Sequence, residues 1–435
     1  MNIVLLSGGS GKRLWPLSND TLSKQFLKLL KNERGEYESM VQRVTRQLLA
    51  AHPDASLYVS CNTAQADILK RQIGAAESIT EPSRRDTFPA IVLAAAYLHY
   101  VKRLGENDIF VVYPIDVYAQ GRYFELLSQV GEIASSGRNK IGLLGVKPAY
   151  PSEKYGYILR NGDTVAGFIE KPAASEAERL IEGGALWNCC VFGLKIGYVL
   201  DRARQYIDFD SYDSLYDQYA QLPQTSFDYE VAENEPDIGV VVYDGVWKDL
   251  GTWNTLTEEM TDRSIGANVL ISDSCANTHV MNMLNIPVIV QDIKDAVVVA
   301  SHDGILVTSK TGSSYLKPLA EQINLRPMYG QKRWGSYRVL DYKQTGDISS
   351  LIRRVVIEAG QSVGYRFGPG CRGVWIVTAG KGILTENGAD SVISPGCVID
   401  IQPETEYIFL AALELELIET QLGPDGDGAD WQGLD

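Results

Sequence analysis

The chain has 435 residues, of which 45% are hydrophobic and 22% are charged, and its formal net charge is −15 at pH 7. This length predicts two or three domains, each large enough to build its own apolar core. The acidic balance and the absence of clustered lysines and arginines exclude a nucleic acid partner, whose phosphates need such clusters for neutralisation. A small phosphorylated ligand remains compatible, because it needs only a few basic groups.

The cysteines and the N-terminus indicate the cellular compartment of the protein. Six cysteines show no CxxC pair, which indicates reduced thiols rather than a disulfide framework or a zinc site. The first residues, MNIVLLSGG, lack the basic start of a signal peptide and are typical of a strand. No stretch approaches the ~18 consecutive apolar residues of a membrane span. We therefore expect a cytoplasmic protein with no membrane partner.

The first 260 residues alternate between two hydrophobic periods. Strand-like and helix-like segments follow one another, the strands at 2–6, 57–61, 108–113 and 141–146 and the helices at 37–51, 87–101 and 124–134. Such alternation predicts an α/β fold with a doubly wound, mostly parallel sheet. Ligands of these sheets bind beyond the carboxyl ends of the strands, so functional residues should follow strands directly.

The pattern changes near residue 265, where short apolar runs separated by turns replace the helices. We predict a first domain at 1–262, a small β-rich or β-solenoid-like segment at 263–329, and a β-barrel domain at 330–422. One short helix is expected at 317–324. The Gly- and Asp-rich tail, 423–435, is expected to be poorly ordered.

A glycine-rich loop follows the first predicted strand and contains Gly8, Gly9, Gly11, Lys12 and Arg13. Glycines let backbone amides approach a phosphate chain closely, and the two basic residues add positive charge, so the loop fits a triphosphate. It lacks the G-K-[ST] of a Walker A loop and the G-x-G-x-x-G of a dinucleotide site. The alternative is a tight turn between a strand and a helix.

Residues 8–18 read GGSGKRLWPLS and residues 24–27 read KQFL, which resembles the signature of the sugar nucleotidyltransferases. The variant with Trp15 and KQF is similar to the bacterial mannose-1-phosphate guanylyltransferase family. The resemblance implies a Rossmann-like nucleotidyltransferase fold. It also implies that Arg13 and Lys24 are catalytic, binding the triphosphate and neutralising charge at the α-phosphorus as pyrophosphate leaves.

Seven further segments match this family in order, at 81–90, 113–116, 155–158, 168–172, 186–188, 227–230 and 247–253. By the resemblance, Arg85 and Thr87 lie near the nucleotide base, and Asp116 and Asp249 bind Mg²⁺. An isolated Asp after a strand is more often a turn or helix cap. The motif context favours the metal role here.

The resemblance places the sugar phosphate among Tyr155, Gly156, Glu170, Lys171 and Asn188. Lys171 would meet the 1-phosphate as a point charge, and Glu170 would accept hydrogen bonds from sugar hydroxyls. The alternatives are a surface ion pair for Glu170 and Lys171, and a capping or turn amide for Asn188.

The implied reaction joins GTP and mannose 1-phosphate to give GDP-mannose and pyrophosphate. Departures from the family pattern at Asp86, Phe88 and Glu153-Lys154 leave open another NTP and another sugar 1-phosphate. A catalytically silent sugar-nucleotide-binding regulatory subunit is the alternative from another class. Retention of the basic and acidic motif residues favours the enzyme, and a dehydrogenase lacks its fingerprint.

Residues 333–337, RWGSY, resemble the start of the cupin-like domain of type II mannose-6-phosphate isomerases. The metal-ligand positions of that domain correspond to Arg366, Gly368, Gly373 and Ile408, none of which is a usual ligand of a divalent cation. We therefore predict no metal and no isomerase activity in this domain. It should pack against the transferase domain or a second copy, which leaves a homo-oligomer open. Its predicted core residues are Val374, Ile376, Val398, Ile401, Leu413, Leu415 and Leu417.

Overall fold

The structure is a computed structural model that describes residues 1–8, 12–19, 21–74, 76–366 and 370–424, together with the backbone of 431–433. It forms two compact units. The first contains Met1–Gly11 and Ser23–Thr261, and the second contains Lys12–Leu22 and Asp262–Asp435. In the described part of the chain, no helix has the length and apolar character that crossing a membrane requires.

The first unit alternates strands and helices, as predicted. Its strands are β1 (Asn2–Leu6), β2 (Leu30–Lys31), β3 (Tyr37–Glu38), β4 (Ser56–Asn62), β5 (Glu77–Glu81), β6 (Ile109–Pro114), β7 (Val117–Ala119), β8 (Ile141–Val146), β9 (Gly156–Asn161), β10 (Thr164–Glu170), β11 (Leu186–Lys195), β12 (Ile238–Tyr243) and β13 (Trp247–Asp249). Its α-helices are α1 (Met40–Ala51), α2 (Thr63–Ile73), α3 (Thr87–Ala96), α4 (Leu127–Ser135), α5 (Ala174–Glu182), α6 (Ile196–Ala203), α7 (Tyr212–Gln218), α8 (Phe227–Glu230) and α9 (Trp253–Glu259).

Capping residues set where the first helices begin. The Ser39 side chain accepts a hydrogen bond from the Gln42 backbone, and the Gln42 side chain returns one to Ser39. This reciprocal cap satisfies two backbone donors at the start of α1. The helix therefore begins at Met40, three residues later than the hydrophobic pattern alone predicted.

Nine strands form the central sheet, in the order β5-β4-β1-β6-β11-β8-β12-β10-β9. The α/β prediction is confirmed, but the sheet is mixed rather than mostly parallel. β5, β4, β1 and β6 are parallel, whereas β11 runs antiparallel to β6, β8 and β9. The β11–β9 pairing closes a ring of five strands.

Two glycines let α4 lie unusually close to the sheet. A Cβ atom at Gly142 on β8 or at Gly193 on β11 would collide with the backbone carbonyl of Val130. No side chain can occupy these positions without moving the helix, because the obstructing atoms are backbone. The close approach fixes β8 and β11 relative to α4.

The second unit is mostly β-structure. Its strands are β14 (Ser264–Gly266), β15 (Val269–Ile271), β16 (His279–Asn282), β17 (Val288–Val290), β18 (Ala296–Ser301), β19 (Gly304–Ser309), β20 (Tyr329–Lys332), β21 (Gly335–Thr345), β22 (Ile348–Ile357), β23 (Ser362–Arg366), β24 (Arg372–Ala379), β25 (Gly382–Glu386), β26 (Ala389–Ile393), β27 (Val398–Ile401), β28 (Glu406–Ala411), β29 (Leu415–Pro424) and β30 (Trp431–Gly433). The short helix α10 (Lys317–Ala320) ends four residues before the predicted limit.

The strands between β14 and β18 stack in the manner of a β-solenoid. β14, β16 and β18 pair in parallel, and β15 pairs in parallel with β17. Equivalent positions such as Ile265, Met281 and Val299 lie above one another. Stacked coils bury a common interior, which explains the regular spacing of apolar runs in this part of the sequence.

Among the described residues, β20 to β30 form two separate sheets rather than one closed barrel. Six strands follow the order β20-β21-β22-β29-β24-β27, and five follow β26-β25-β28-β23-β30. Trp431–Gly433, which lies in the tail expected to be poorly ordered, pairs with β23. Backbone hydrogen bonds to this strand, which composition does not reveal, order the segment.

The predicted core of this β-region was shifted by one residue in β24. Trp375 and Val377 are buried, whereas Ile376 is exposed and Val374 only half-buried. A one-residue shift moves every side chain of a strand to the opposite face, because the strand period is two. Val398 and Leu413 are likewise exposed, and the predictions hold for Ile401, Leu415 and Leu417.

The same alternation corrects the proposed ligand positions. Tyr365 and Tyr407 are buried, whereas their neighbours Arg366 and Ile408 are exposed and half-buried. The side chains of Arg366 and Ile408 therefore do not face the interior between the sheets. Gly368 lies outside the described residues. The absence of metal and of isomerase activity stays a prediction.

The interior of this β-region holds a charged pair. The Arg353 guanidinium donates hydrogen bonds to both carboxylate oxygens of Glu419, and the Tyr365 hydroxyl donates to the same carboxylate. All three side chains are buried. Burying a lone charge is costly, so removal of either charged residue would leave the other as an uncompensated buried charge.

We predict that Arg353→Met lowers the free energy of unfolding by about 3–5 kcal/mol, because Glu419 is then buried without its cation. Arg354→Met is the matched control on the same strand. It removes a partly exposed pair with Glu416 and should cost about 0–1 kcal/mol. Urea unfolding of the full chain measures both losses, and equal losses would contradict the interpretation.

Candidate active site

Two carboxylates are brought together by a short antiparallel strand pair. Asp116 follows β6, and Asp249 is the last residue of β13. β13 pairs with β7, which places Asp249 opposite Val117, and the Leu250 amide donates to the Asp116 carbonyl at 3.3 Å. The two aspartates therefore lie beside each other although 133 positions separate them in the sequence.

Lys24 lies against both carboxylates. Its Nζ is 2.6 Å from Oδ2 of Asp116 and 3.9 Å from Oδ1 of Asp249. The neighbouring Gln25 side chain donates to the carbonyl and the hydroxyl of Ser7, which ties the short helix Lys24–Phe26 to the end of β1. β1 pairs in parallel with β6, so the lysine and Asp116 both lie at the carboxyl ends of these two strands.

The carboxylates are more open to solvent than the lysine. The Lys24 side chain is 12% exposed, and those of Asp116 and Asp249 are 33% and 35% exposed. Both carboxylates thus present part of their surface to solvent beside a mostly covered ammonium. Magnesium binds through one or two carboxylates together with substrate phosphates and water, so this donor set fits it.

Four of the five residues predicted for the sugar phosphate are clustered, three of them on β9, β10 and β11 and the fourth, Lys171, directly after β10. Gly156 lies opposite Glu170 in the β9–β10 pair, and a Cβ at Gly156 would collide with the Glu170 carboxylate. The same Cβ would lie 3.6 Å from the Cβ of Asn188. Lys171 Nζ contacts the Glu170 carboxylate. Gly156 is therefore the residue that leaves room for the Glu170 side chain.

Tyr155 connects this cluster to the carboxylates. Its ring contacts Trp187 and Trp247, with centroid separations of 4.9 and 5.2 Å. Trp187 precedes Asn188, and Trp247 opens the strand that ends at Asp249. Burial raises the pKa of the Tyr155 hydroxyl, so it stays protonated at neutral pH. The aromatic contacts thus place the cluster and the metal candidates in one region of the first unit.

Asp228, which was not singled out in the sequence, contacts the predicted site residue Asn188. Asn188 Nδ2 donates to Asp228 Oδ1 at 2.5 Å, and the Cys190 thiol is 3.7 Å from Asp228 Oδ2. The surrounding protein raises the pKa of Asp228 through burial. The segment at 227–230, which matches the family, contains Asp228. The match did not distinguish its carboxylate from that of Glu230.

The side chains of Arg85 and Thr87 form hydrogen bonds with the backbone of the segment at 222–227. The Arg85 guanidinium donates to the Leu222 carbonyl at 2.8 Å, and the Thr87 hydroxyl accepts from the Phe227 amide at 2.9 Å. Phe227 opens α8, which carries Asp228. These contacts position α8, and a nucleotide-binding role for Arg85 and Thr87 stays a prediction.

The glycine loop is only partly described. Gly8 is exposed directly after β1, and Gly9 and Gly11 lie outside the described residues. Lys12 and Arg13 begin the short helix Lys12–Leu14, which belongs to the second unit.

A family model described as Nucleotidyl transferase matches residues 2–264. The chain belongs to the nucleotidyl transferase family. This match includes both carboxylates, Lys24 and the cluster around Glu170.

Similar proteins in this family extend over nearly the whole chain. A putative mannose-1-phosphate guanylyltransferase of Vibrio cholerae is 28% identical, over 97% of this chain and 96% of the relative. The xanthan biosynthesis protein XanB of Xanthomonas campestris strain B100 is also 28% identical, over 97% of this chain and 95% of the relative. The crystal structure of a protein named mannose-1-phosphate geranyltransferase, from Thermus thermophilus, is 25% identical with a TM-score of 0.60. It matches 74% of this chain and 99% of its own.

Proposed function

We propose that the chain transfers a guanylyl group from GTP to mannose 1-phosphate in a magnesium-dependent reaction, which gives GDP-mannose and pyrophosphate. The proposal rests on one observation: Lys24 contacts both Asp116 and Asp249 at the carboxyl ends of the strands. The names of the full-length relatives support the base and the sugar.

The reaction is an in-line displacement. A phosphate oxygen of the sugar phosphate bonds to the α-phosphorus, and the bond from that phosphorus to the bridging oxygen breaks as pyrophosphate leaves. The nucleophile is already an anion, so no general base is needed, and the protein has to position the reactants and neutralise charge. Bound to Asp116 and Asp249, magnesium would supply positive charge to the phosphates. The Lys24 ammonium would then be free to contact a phosphate oxygen.

The cluster on β9 to β11 suits the sugar phosphate. Lys171 would bind the 1-phosphate, and the Glu170 carboxylate would accept hydrogen bonds from the sugar hydroxyls. The pair they form with each other keeps both side chains in place before a ligand arrives. Asn188 and the Tyr155 hydroxyl would complete the polar lining.

The triphosphate would be bound by Arg13 and Lys12 and by the amides around Gly8, Gly9 and Gly11. This part of the proposal rests on the sequence resemblance. Arg85 and Thr87 would act near the base through the segment at 222–227, whose backbone they bind.

The proposal is tested by pyrophosphate release in a screen of four NTPs against a panel of sugar 1-phosphates, with and without Mg²⁺. We expect the highest kcat/KM for GTP with mannose 1-phosphate, and loss of turnover when Mg²⁺ is chelated. A preference for another pair would overturn the substrate assignment. No release from any pair would overturn the enzyme assignment.

We expect Asp116→Asn and Asp249→Asn each to lower kcat by at least about 100-fold, because each removes a negative ligand from the metal site. Asp244→Asn is the control, because Asp244, which directly follows β12, forms an exposed ion pair with Lys147. Thermal unfolding should be similar for all three variants. Turnover close to wild type in both metal-site variants would exclude the two-carboxylate site.

Lys171→Ala should raise the KM for mannose 1-phosphate by about tenfold and leave the KM for GTP nearly unchanged, because an ammonium–phosphate contact is lost. Lys147→Ala removes a lysine from an exposed ion pair and should change neither constant. Steady-state kinetics with each substrate varied in turn separates the two effects. An equal rise in both KM values would indicate a structural lysine.

A further inference from the structure

The segment Lys12–Leu22 belongs to the second unit, although the residues on both sides of it belong to the first. It begins directly after the glycine loop and carries Lys12 and Arg13. Its short helix Lys12–Leu14 lies against α10. The basic half of the loop is therefore folded with a part of the protein that is remote in sequence.

Three contacts hold the segment to the turn between β18 and β19. Asn19 Nδ2 donates to Asp303 Oδ2 at 2.6 Å, and the Ser301 hydroxyl donates to the Pro16 carbonyl at 2.7 Å. A Cβ at Gly304 would lie 2.5 Å from the Trp15 ring. The turn thus contacts the segment by hydrogen bonds at two points and by close packing at a third.

Both side chains of the Asn19–Asp303 pair have further partners. Asn19 Oδ1 accepts hydrogen bonds from the Thr21 amide, the Thr21 hydroxyl and the Leu22 amide. Asp303 Oδ1 accepts from the Met328 amide at 2.6 Å. The Asn19 side chain is thereby fixed to its own backbone and the Asp303 side chain to the backbone at Met328, so the bond between them couples these segments.

We propose that the β18–β19 turn is a positioning element for nucleotide binding, in which Asp303 and Gly304 orient Lys12 and Arg13 toward the triphosphate. Asp303 contacts no substrate in this proposal and acts only through Asn19. The inference rests on the proposed function, because it assigns the turn a role at the triphosphate. It predicts that changes in the second unit alter the binding of NTP and leave the binding of sugar phosphate unchanged.

Exchange of the hydrogen-bonding pair tests the proposal. Asn19→Asp alone sets two carboxylates against each other. Asp303→Asn alone replaces one of the two carboxylate oxygens, which accept separately from Asn19 and from Met328, with a donor. The double variant Asn19→Asp/Asp303→Asn restores the bond between the two side chains with the donor reversed, and it loses only the 3.3 Å bond from Asn19 Nδ2 to the Tyr329 carbonyl. The carboxylate at 19 still accepts from Thr21 and Leu22, and the amide oxygen at 303 still accepts from Met328.

We expect each single variant to raise the KM for NTP by about tenfold, the KM for sugar phosphate to change less than about twofold, and the double variant to regain most of the loss. A merely structural pair would instead lower the melting temperature and change both KM values together. That result, or unchanged kinetics in both single variants, would overturn the proposal.

Gly304→Ala gives an independent test of the packing contact. The added methyl group would displace the Trp15 ring, so the KM for NTP should rise again. Gly388→Ala is the matched control, because Gly388 also has a positive φ, in the β25–β26 turn, and has no atom within 4 Å of the added Cβ. An equal effect of the two substitutions would mean that backbone strain, and not contact with Trp15, is responsible.

Hydrogen exchange of the backbone distinguishes this inference from the proposed function. Residues 12–22 should exchange faster in each single variant and return to the wild-type rate in the double variant, whether or not the chain releases pyrophosphate. If the wild type shows no turnover but this exchange pattern holds, the proposed function fails and the anchoring stands. If the wild type turns over and the exchange rates do not change, the anchoring fails alone.

Discussion

One ammonium group held against two carboxylates is the interaction on which the candidate active site depends. Lys24 must reach Asp116 and Asp249 together, although the three residues come from distant parts of the sequence. The parallel β1–β6 pair and the β7–β13 pair bring them to one place. Without the lysine the two negative charges would repel each other, and without the carboxylates a nearly buried ammonium would be left uncompensated.

The mixed sheet brings together the residues of the proposed sugar-phosphate site. β11 runs antiparallel between β6 and β8 and also pairs with β9, so its bulged start carries Asn188 to the side of Gly156 and Glu170. The close packing of α4 over Gly193 fixes the other end of β11. Strand pairing and helix packing therefore determine where the carboxylate pair lies relative to the residues around Glu170. The side chains then form the rest of the candidate site.

The sequence predicted the features that depend on local order. Asp116 could be placed because it follows an apolar strand, and the α/β fold could be predicted because strands and helices alternate. The antiparallel insertion of β11 could not, because strand direction depends on pairings between distant segments. The shift at Trp375 arose because both faces of β24 carry apolar residues, so alternation did not distinguish them. Asn19 gave no signal, since its partner Asp303 lies 284 positions away.

That separation has a consequence for synthesis of the protein. A ribosome adds about 5–20 residues per second, so Asp303 emerges about 15 to 60 s after Asn19. The first unit ends at Thr261, 42 positions before Asp303, so its strands and carboxylates have been synthesised about 2 to 8 s before the segment that follows the glycine loop has a turn to bind. The nascent first unit is therefore complete in sequence shortly before Asn19 gains its partner Asp303. In the proposed role of the turn, a chain that ends before Asp303 would lack the contacts that hold the segment carrying Lys12 and Arg13.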